Sequence, residues 1–361
     1  MKILLLAGEE SGLIYAKRLK ALWEGHEVRG YGDYGFKTAD LAVMGFAAVV
    51  KRLPYFIGVK RTMERAIDEW RPDVLCTIDY PGLNLKLAAY AKSRGVRTVH
   101  VVCPQVWAWK AGRIPKIEAA LDRLCCFFPF EPDLFKPGFA EFVGHPLAES
   151  FGERTVRHAI EGEPPRVALL PGSRIGEIAR ILPVMLKALD LLPQVHVSIP
   201  AANETALSAI KSAIVASGRK EDAFLTVSLG GARDILLSSD AAVVASGTAT
   251  LEAALARCPT VLVYKVDAFL AWFARRVIKG VKHIGLANII WEKSGGEGVE
   301  PMPELLQEDF TPAKVAEALR GRLWDPECRA RTIAALESVA DRLGTGKSSI
   351  LRISAAVLGG K

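Results

Sequence analysis

Long apolar runs are what this sequence lacks most clearly. No stretch approaches the roughly 20 consecutive apolar residues a bilayer-spanning helix needs, so a spanning protein is not expected. Met1-Lys2-Ile3-Leu4-Leu5-Leu6-Ala7 starts like a signal peptide, but Gly8-Glu9-Glu10 breaks the run after too few residues. It reads better as a first buried strand. The six cysteines (Cys76, Cys103, Cys125, Cys126, Cys258, Cys328) make no C-x-x-C pair and have no histidine at ligand spacing. Several lie inside apolar runs, so buried free thiols in a reducing compartment are expected, and no metal. The glycine turn after the first apolar run, Gly8-Glu9-Glu10-Ser11-Gly12, lacks G-x-G-x-x-G spacing, and no solenoid repeat or low-complexity tract occurs.

What is there describes a globular chain. Half of the 361 residues are hydrophobic and 24% are charged, enough for a sizeable core and for two domains. The net charge of +7 suits an anionic partner: a phosphorylated substrate, an acidic membrane surface or nucleic acid. Nucleic acid is disfavoured, because the basic residues flank apolar clusters and form no reading motif.

Apolar strand candidates alternate with helical patterns: Lys2–Ala7, Val74–Ile78, Thr98–Val102 and Arg123–Phe128, then Val167–Leu170, Val195–Ile199, Phe224–Val227, Ala241–Val244 and Thr260–Val263. That order implies parallel βαβ units with functional loops at the strands' carboxyl ends. The pattern dilutes over Phe151–Arg166, which places a boundary between an N-terminal domain (1–150) and a C-terminal one (151–361). The tail reads as helices Thr311–Leu323, Glu327–Leu343 and Ser348–Leu358.

Ser246-Gly247-Thr248-Ala249-Thr250-Leu251-Glu252 is the most informative stretch. A buried strand ends, the chain turns at glycine, and a helix opens with hydroxyls on its first turn. Unpaired N–H groups and the macrodipole there suit a phosphate, and Glu252 suits a sugar's hydroxyls. Ordinary capping by Ser246 or Thr248 is the alternative. Gly172-Ser173-Arg174, after Val167–Leu170, makes a second such helix start, with a guanidinium able to fork onto phosphate oxygens. Together they favour a diphosphate clamp. Asp79 ends an apolar strand, an expensive place for a carboxylate unless it is paired or used as a base; a turn-forming Asp is the alternative. Glu9 follows the first strand with the same ambiguity. His145 is placed to face a cleft, His100 reads as a core histidine, and Trp107 with Trp109 reads as core or as a stacking platform.

Two basic amphipathic segments, Phe46–Arg65 and Phe269–Lys282, suit an interfacial helix on anionic lipid. A core-facing helix with a basic back remains the alternative for the second.

These motifs in this order resemble the lipid-A-disaccharide synthase family. The resemblance rests on Gly8-Glu9-Glu10-Ser11-Gly12, Ile78-Asp79, Val106-Trp107-Ala108-Trp109, Phe128-Pro129-Phe130-Glu131, Val143-Gly144-His145-Pro146, Leu170-Pro171-Gly172-Ser173-Arg174, Ala245–Glu252 and Asn288, and runs to about Thr311. It implies an α/β fold of GT-B type, with two Rossmann-like parallel-sheet domains facing a cleft and C-terminal helices able to cross back or exchange within a homodimer. It implies a metal-independent, inverting glycosyltransferase without cofactor, peripheral on the cytoplasmic face of the inner membrane. The implied reaction joins UDP-2,3-diacylglucosamine to 2,3-diacylglucosamine 1-phosphate (lipid X), giving a β-1,6 disaccharide and UDP. By the same resemblance Asp79 matches the base, helped by His145. Arg174 matches a residue at the diphosphate, and Gly172, Ser173 and Ser246–Glu252 the UDP-sugar site. Glu9, Ser11, Gly12, Trp107 and Asn288 fall on the acceptor side, and the apolar membrane patch falls on Val43, Met44, Phe46, Val49, Val50, Leu53 and Phe56.

The chain departs from the family pattern at Leu13 and Gly82, where acidic residues are usual, at Ala287, in the Gly-rich stretch 291–299, and in a short 30–39 region. Rival readings are a UDP-N-acetylglucosamine epimerase, a transferase with another lipid acceptor, and a non-catalytic UDP-sugar- or membrane-binding protein.

Overall fold

The computed structural model describes residues 1–41, 52–151, 163–267, 281–344 and 348–359, which divide into two compact units: Met1–Glu149 with Gly344–Lys361, and Ser150–Leu343. Each is built on a six-stranded, fully parallel sheet.

In the first unit the strands are β1 (Lys2–Ala7), β2 (Glu27–Arg29), β3 (Val74–Ile78), β4 (Arg97–Val101), β5 (Arg123–Cys126) and β6 (Ala140–Phe142), in sheet order β2-β1-β3-β4-β5-β6. The inner strands are continuous apolar runs because both their faces are covered. Leu5 aligns with Cys76, and Cys76 with Val99, all but buried. The second unit carries β7 (Arg166–Leu170), β8 (His196–Ala201), β9 (Leu225–Leu229), β10 (Ala241–Ala245), β11 (Thr260–Tyr264) and β12 (Glu304–Leu306). Its order is β12-β11-β10-β7-β8-β9, in which Val243 pairs with Leu169. That is the Rossmann order, reversing between the first and fourth strands of the unit.

The nine strand candidates all exist, with ends shifted by one or two residues. The three short edge strands β2, β6 and β12 have no apolar run to announce them, and their residues are half-buried or exposed. The helix over Leu53–Trp70 carries Pro54 in its first turn, where a missing N–H costs nothing, and turns Val59, Met63, Ala66, Ile67 and Trp70 inward. The half of the first basic amphipathic segment that lies on this helix is therefore core-facing from Val59 onward. Leu53 (53% exposed) and Ile57 (43%) stay in solvent, while Phe56 is half-buried against Tyr55 and Tyr80. Val43, Met44, Phe46, Val49 and Val50, and most of the second amphipathic segment, lie outside the described residues.

The helix Ser349–Leu358 belongs to the first unit. Ile350, Ile353 and Val357 join a core with Ile3, Leu5, Trp23, Val99 and Val101. Trp23 Nε1 donates to Ser354 Oγ at 2.8 Å, and the Arg97 guanidinium donates to the carbonyls of Val357 (2.6 Å) and Ala356 (2.7 Å). A cation on the last carbonyls suits the negative end of the helix, and the Glu149 carboxylate accepts from Ser349 N–H at the positive end. Ile353→Ala is expected to lower the unfolding free energy by about 2–5 kcal/mol, the usual range for truncating a fully buried Ile, as measured by urea denaturation.

Candidate active site

In the second unit the carboxyl ends of β7 and β10 are neighbours where the strand order reverses, and a cavity of about 570 Å³ opens there. Gly172–Arg174 forms one wall, Ser246–Ala249 with Glu252 another, and Gly230–Arg233 after β9 a third. Two glycines are required by backbone conformation. Gly247 has φ 147° and Gly172 φ 105°, and a Cβ on Gly172 would meet Glu177 Oε2 at 2.7 Å.

The hydroxyls of the Ser246–Thr250 run divide in use. Ser246 Oγ donates to Ile284 O at 3.3 Å, and buried Thr250 Oγ1 donates to Gly247 O at 2.8 Å. Thr248 occupies the N-cap of the helix Ala249–Leu255 without a side-chain cap bond. Neither Ser246 nor Thr248 is the ordinary cap that a bare reading of the residues allowed. Thr250 is internal, and Thr248 is exposed at the cavity wall. Glu252 is half-buried there, and burial raises its pKa. Arg174 precedes the helix Ile175–Leu189, and its Nη1 lies 2.7 Å from Glu177 Oε1. Arg233 adds a second guanidinium, set over the Phe151 ring at 5.5 Å. Glu177 and the Gly230–Arg233 wall were missed from the sequence. A Gly-Gly pair directly after a strand was the available signal.

In the first unit the order reverses between β1 and β3, so Glu9 and Asp79 follow adjacent strands. Asp79 and Tyr80 are consecutive left-handed residues (φ 50° and 53°), a conformation that costs energy in non-glycine residues. Buried Asn84 supports it: Nδ2 donates to Asp79 O at 2.7 Å, while Oδ1 accepts from Tyr31 OH at 2.8 Å. Asp79 N–H donates to Val101 O at 2.9 Å, and its Oδ1 accepts from Tyr80 N–H at 2.8 Å. The ring of Tyr80 covers Gly8 so closely that a Cβ there would lie 2.5 Å from Tyr80 Cγ. Burial raises the Asp79 pKa. Desolvation, and then the charge of Asp79, raise that of Glu9. Both carboxyls are thus held above the ordinary carboxylate range, Asp79 by burial and Glu9 by burial and the charge of Asp79. Ser11 lies in the first turn of the helix Glu10–Leu22, and Gly12 keeps that helix tight on the sheet, since a Cβ there would meet Ile78 Cγ2 at 3.3 Å.

The other candidates are built into the interior. His145 is buried, its Nδ1 accepts from Leu147 N–H at 3.2 Å, its ring stacks on Phe128, and burial lowers its pKa to about 4. It is a neutral ring at neutral pH, with one nitrogen committed to the turn. Asn288 is wholly buried in the second unit, donating to Met302 O (2.7 Å) and Glu304 Oε1 (3.0 Å) and accepting from Met302 N–H. Trp107 is buried, with Nε1 donating to Glu131 Oε1 at 3.0 Å, while Trp109 is exposed. His100 is a core histidine as expected: its Nδ1 lies 2.7 Å from Thr77 Oγ1 and its Nε2 lacks a partner among the described residues. Glu131 lies beside the buried thiols of Cys103 and Cys126, a cluster the cysteine spacing did not show.

Two parallel sheets of Rossmann character, with a cavity at the strand reversal of the second, define an α/β fold of GT-B type. Solved structures share the fold. They include MurG of Acinetobacter baumannii (TM-score 0.57, 13% identity, 99% of each chain covered) and a putative UDP-N-acetylglucosamine 2-epimerase from Listeria monocytogenes (TM-score 0.60, 12% identity, 99% of this chain and 95% of that one). The family profile described as lipid-A-disaccharide synthetase matches residues 3–348. A lipid-A-disaccharide synthase of Syntrophus aciditrophicus is 35% identical over 367 residues, covering 95% of this chain and 93% of that protein. One from Neisseria meningitidis serogroup A is 39% identical over 291 residues, covering 77% and 74%. The chain belongs to the lipid-A-disaccharide synthase family.

Burial pushes the Glu131 carboxyl up to about 8 from 4.5, against the opposing pull of the N–H donors of Phe128 and Trp107. The folded state thus keeps a proton that the unfolded chain releases. The associated stability is complete below about pH 4.5 and is lost as pH rises through about 8. Glu131→Gln is expected to flatten this part of the pH dependence, as read by urea unfolding across that window.

Proposed function

We propose that the enzyme transfers 2,3-diacylglucosamine from its UDP donor to the 6-hydroxyl of 2,3-diacylglucosamine 1-phosphate, inverting the anomeric centre and releasing UDP. The cavity at the β7–β10 reversal carries this reading: two guanidiniums and glycine-shaped backbone for a diphosphate, beside a half-buried carboxylate for sugar hydroxyls. Arg174 exchanges its Glu177 partner for the diphosphate and stabilises the negative charge that grows on the departing UDP. The proposed reaction uses no metal or cofactor.

Asp79 is the proposed base. A carboxylate raised by burial binds a proton more strongly, which suits it to take the proton of the acceptor hydroxyl as its oxygen attacks the anomeric carbon. The charge of Asp79 in turn raises the pKa of its neighbour Glu9. His145, with its lowered pKa and its Nδ1 accepting from Leu147 N–H, packs on the aromatic rings of Phe127 and Phe128, a placement that favours a positioning role over a proton-accepting one. Leu53 and Ile57, exposed at the start of their helix, mark the side from which the lipid acceptor is drawn off the inner membrane's cytoplasmic face. Among the described residues no helix is long and apolar enough to cross a membrane.

Asp79→Asn is expected to lower turnover about 10²–10⁴-fold, the usual worth of a positioned base, with UDP affinity unchanged by calorimetry. Unchanged turnover would remove the base assignment. Arg174→Ala is expected to weaken UDP binding and slow transfer together. The reading as a whole is tested by supplying UDP-2,3-diacylglucosamine with and without lipid X and following UDP release and the disaccharide by mass spectrometry. Release that ignores lipid X would remove this acceptor.

A further inference from the structure

Beside the cavity, and continuous with it along the chain, runs a second, apolar groove of about 810 Å³ between the helices Ile175–Leu189 and Glu204–Ala216. Arg174 lines the cavity and Ile175 the groove; Glu177 lines the cavity and Ile178 the groove; Ala202 lines the cavity and Glu204 the groove. The groove therefore starts at the rim of the diphosphate site. Its walls are Ile175, Ala179 and Pro183 on one helix and Thr205, Ala209 and Ala213 on the other. The exposed serines on this wall spend their donors on their own helix: Ser208 Oγ donates to Glu204 O at 3.1 Å and Ser212 Oγ to Ser208 O at 2.9 Å. With their hydroxyls satisfied on their own helix, they present little more than methylene to the groove. Ile175, the residue directly after Arg174, is 57% exposed at the mouth.

From Glu204 to Ala216 the helix rises about 18 Å at 1.5 Å per residue. Small side chains along that length leave a trough for something narrow, long and apolar, such as an extended fatty-acyl chain. We propose that the groove holds an acyl chain of the donor, so that the helices Ile175–Leu189 and Glu204–Ala216 measure its length while the neighbouring cavity holds its diphosphate. This rests on the donor reading above and deepens it. The sugar hangs from the phosphate that Arg174 binds, so a chain leaving that sugar meets Ile175 first and continues between Ala179 and Ala209.

The test pairs a chain-length series of donors with the filled groove. In the wild-type enzyme KM is expected to fall as the donor's acyl chain grows, by up to about fourfold per methylene buried. In Ala209→Phe/Ala213→Phe, KM for the longest donor should rise tenfold or more and the length dependence should vanish, with UDP affinity and turnover of the shortest donor unchanged. An undiminished length dependence in that variant overturns the groove and leaves the proposed reaction standing. A wild-type enzyme that releases no UDP from any acylated donor overturns the reaction itself, and the groove with it. A dimer that the double substitution dissolves, with KM unchanged, makes the groove a subunit contact instead. The wild-type protein supplies an independent readout that no folding defect can obscure. A photoreactive diazirine at the end of the donor's acyl chain should label peptides spanning 175–183 or 204–216, and labelling confined to residues 1–149 overturns the assignment.

Discussion

A parallel sheet that reverses its strand order leaves one place where the connections on either side depart to opposite faces. No helix closes over that place, and the strands' carboxyl ends open there as a crevice. Both units contain one such reversal, between β1 and β3 and between β7 and β10. The remainder of each unit holds those strand ends still. Apolar strands buried on both faces give a register that cannot slip without exposing the core, so Asp79 near Glu9, and Ser246 near Gly172, are set by the pairs Ala7–Ile78 and Val244–Leu170 just behind them.

The two reversals carry opposite electrostatic problems. The second unit's cavity gathers Arg174 and Arg233 with backbone shaped by Gly172 and Gly247, and balances them with Glu177 and Glu252. A site of that kind is made for an anion, and the carboxylates keep the guanidiniums from standing uncompensated. The first unit instead places two carboxylates near each other with partial desolvation, so each resists ionising. The strain of consecutive left-handed residues at Asp79 and Tyr80 is borne by Asn84, whose amide reaches Asp79 O while its oxygen takes the Tyr31 hydroxyl. A buried amide with every group occupied is a rigid support, and rigidity is what a proton-accepting group needs.

Much of this was legible before any coordinates. Continuous apolar runs such as Val74–Ile78 and Ala241–Ala245 name a strand buried on both faces, and the glycine turns after them name the functional edge. The roles proposed for Asp79 and Arg174, and the place of Glu252 in the proposed UDP-sugar site, rest on the family resemblance. Less legible were the edge strands β2, β6 and β12, whose half-exposed residues carry no strong pattern. Glu177, Arg233 and the wall at Gly230–Gly231 were also missed, since a residue after a distant strand joins a site only through sheet order.

The sequence by itself determined that there are two α/β units, that their strands are parallel, and which loops carry glycine and charge, because those properties follow from local periodicity and backbone freedom. Only the tertiary structure decided which polar side chains are spent. Thr250, His145, Asn288 and Trp107 look in the sequence like groups awaiting a ligand, yet each is engaged within the fold. A hydrogen bond between distant residues leaves no trace in either partner's neighbours along the chain. The same reason governs the stretch 246–252: its sequence announced a phosphate site, but which of its hydroxyls faces the cavity depended on where Ile284 and Gly247 place their carbonyls.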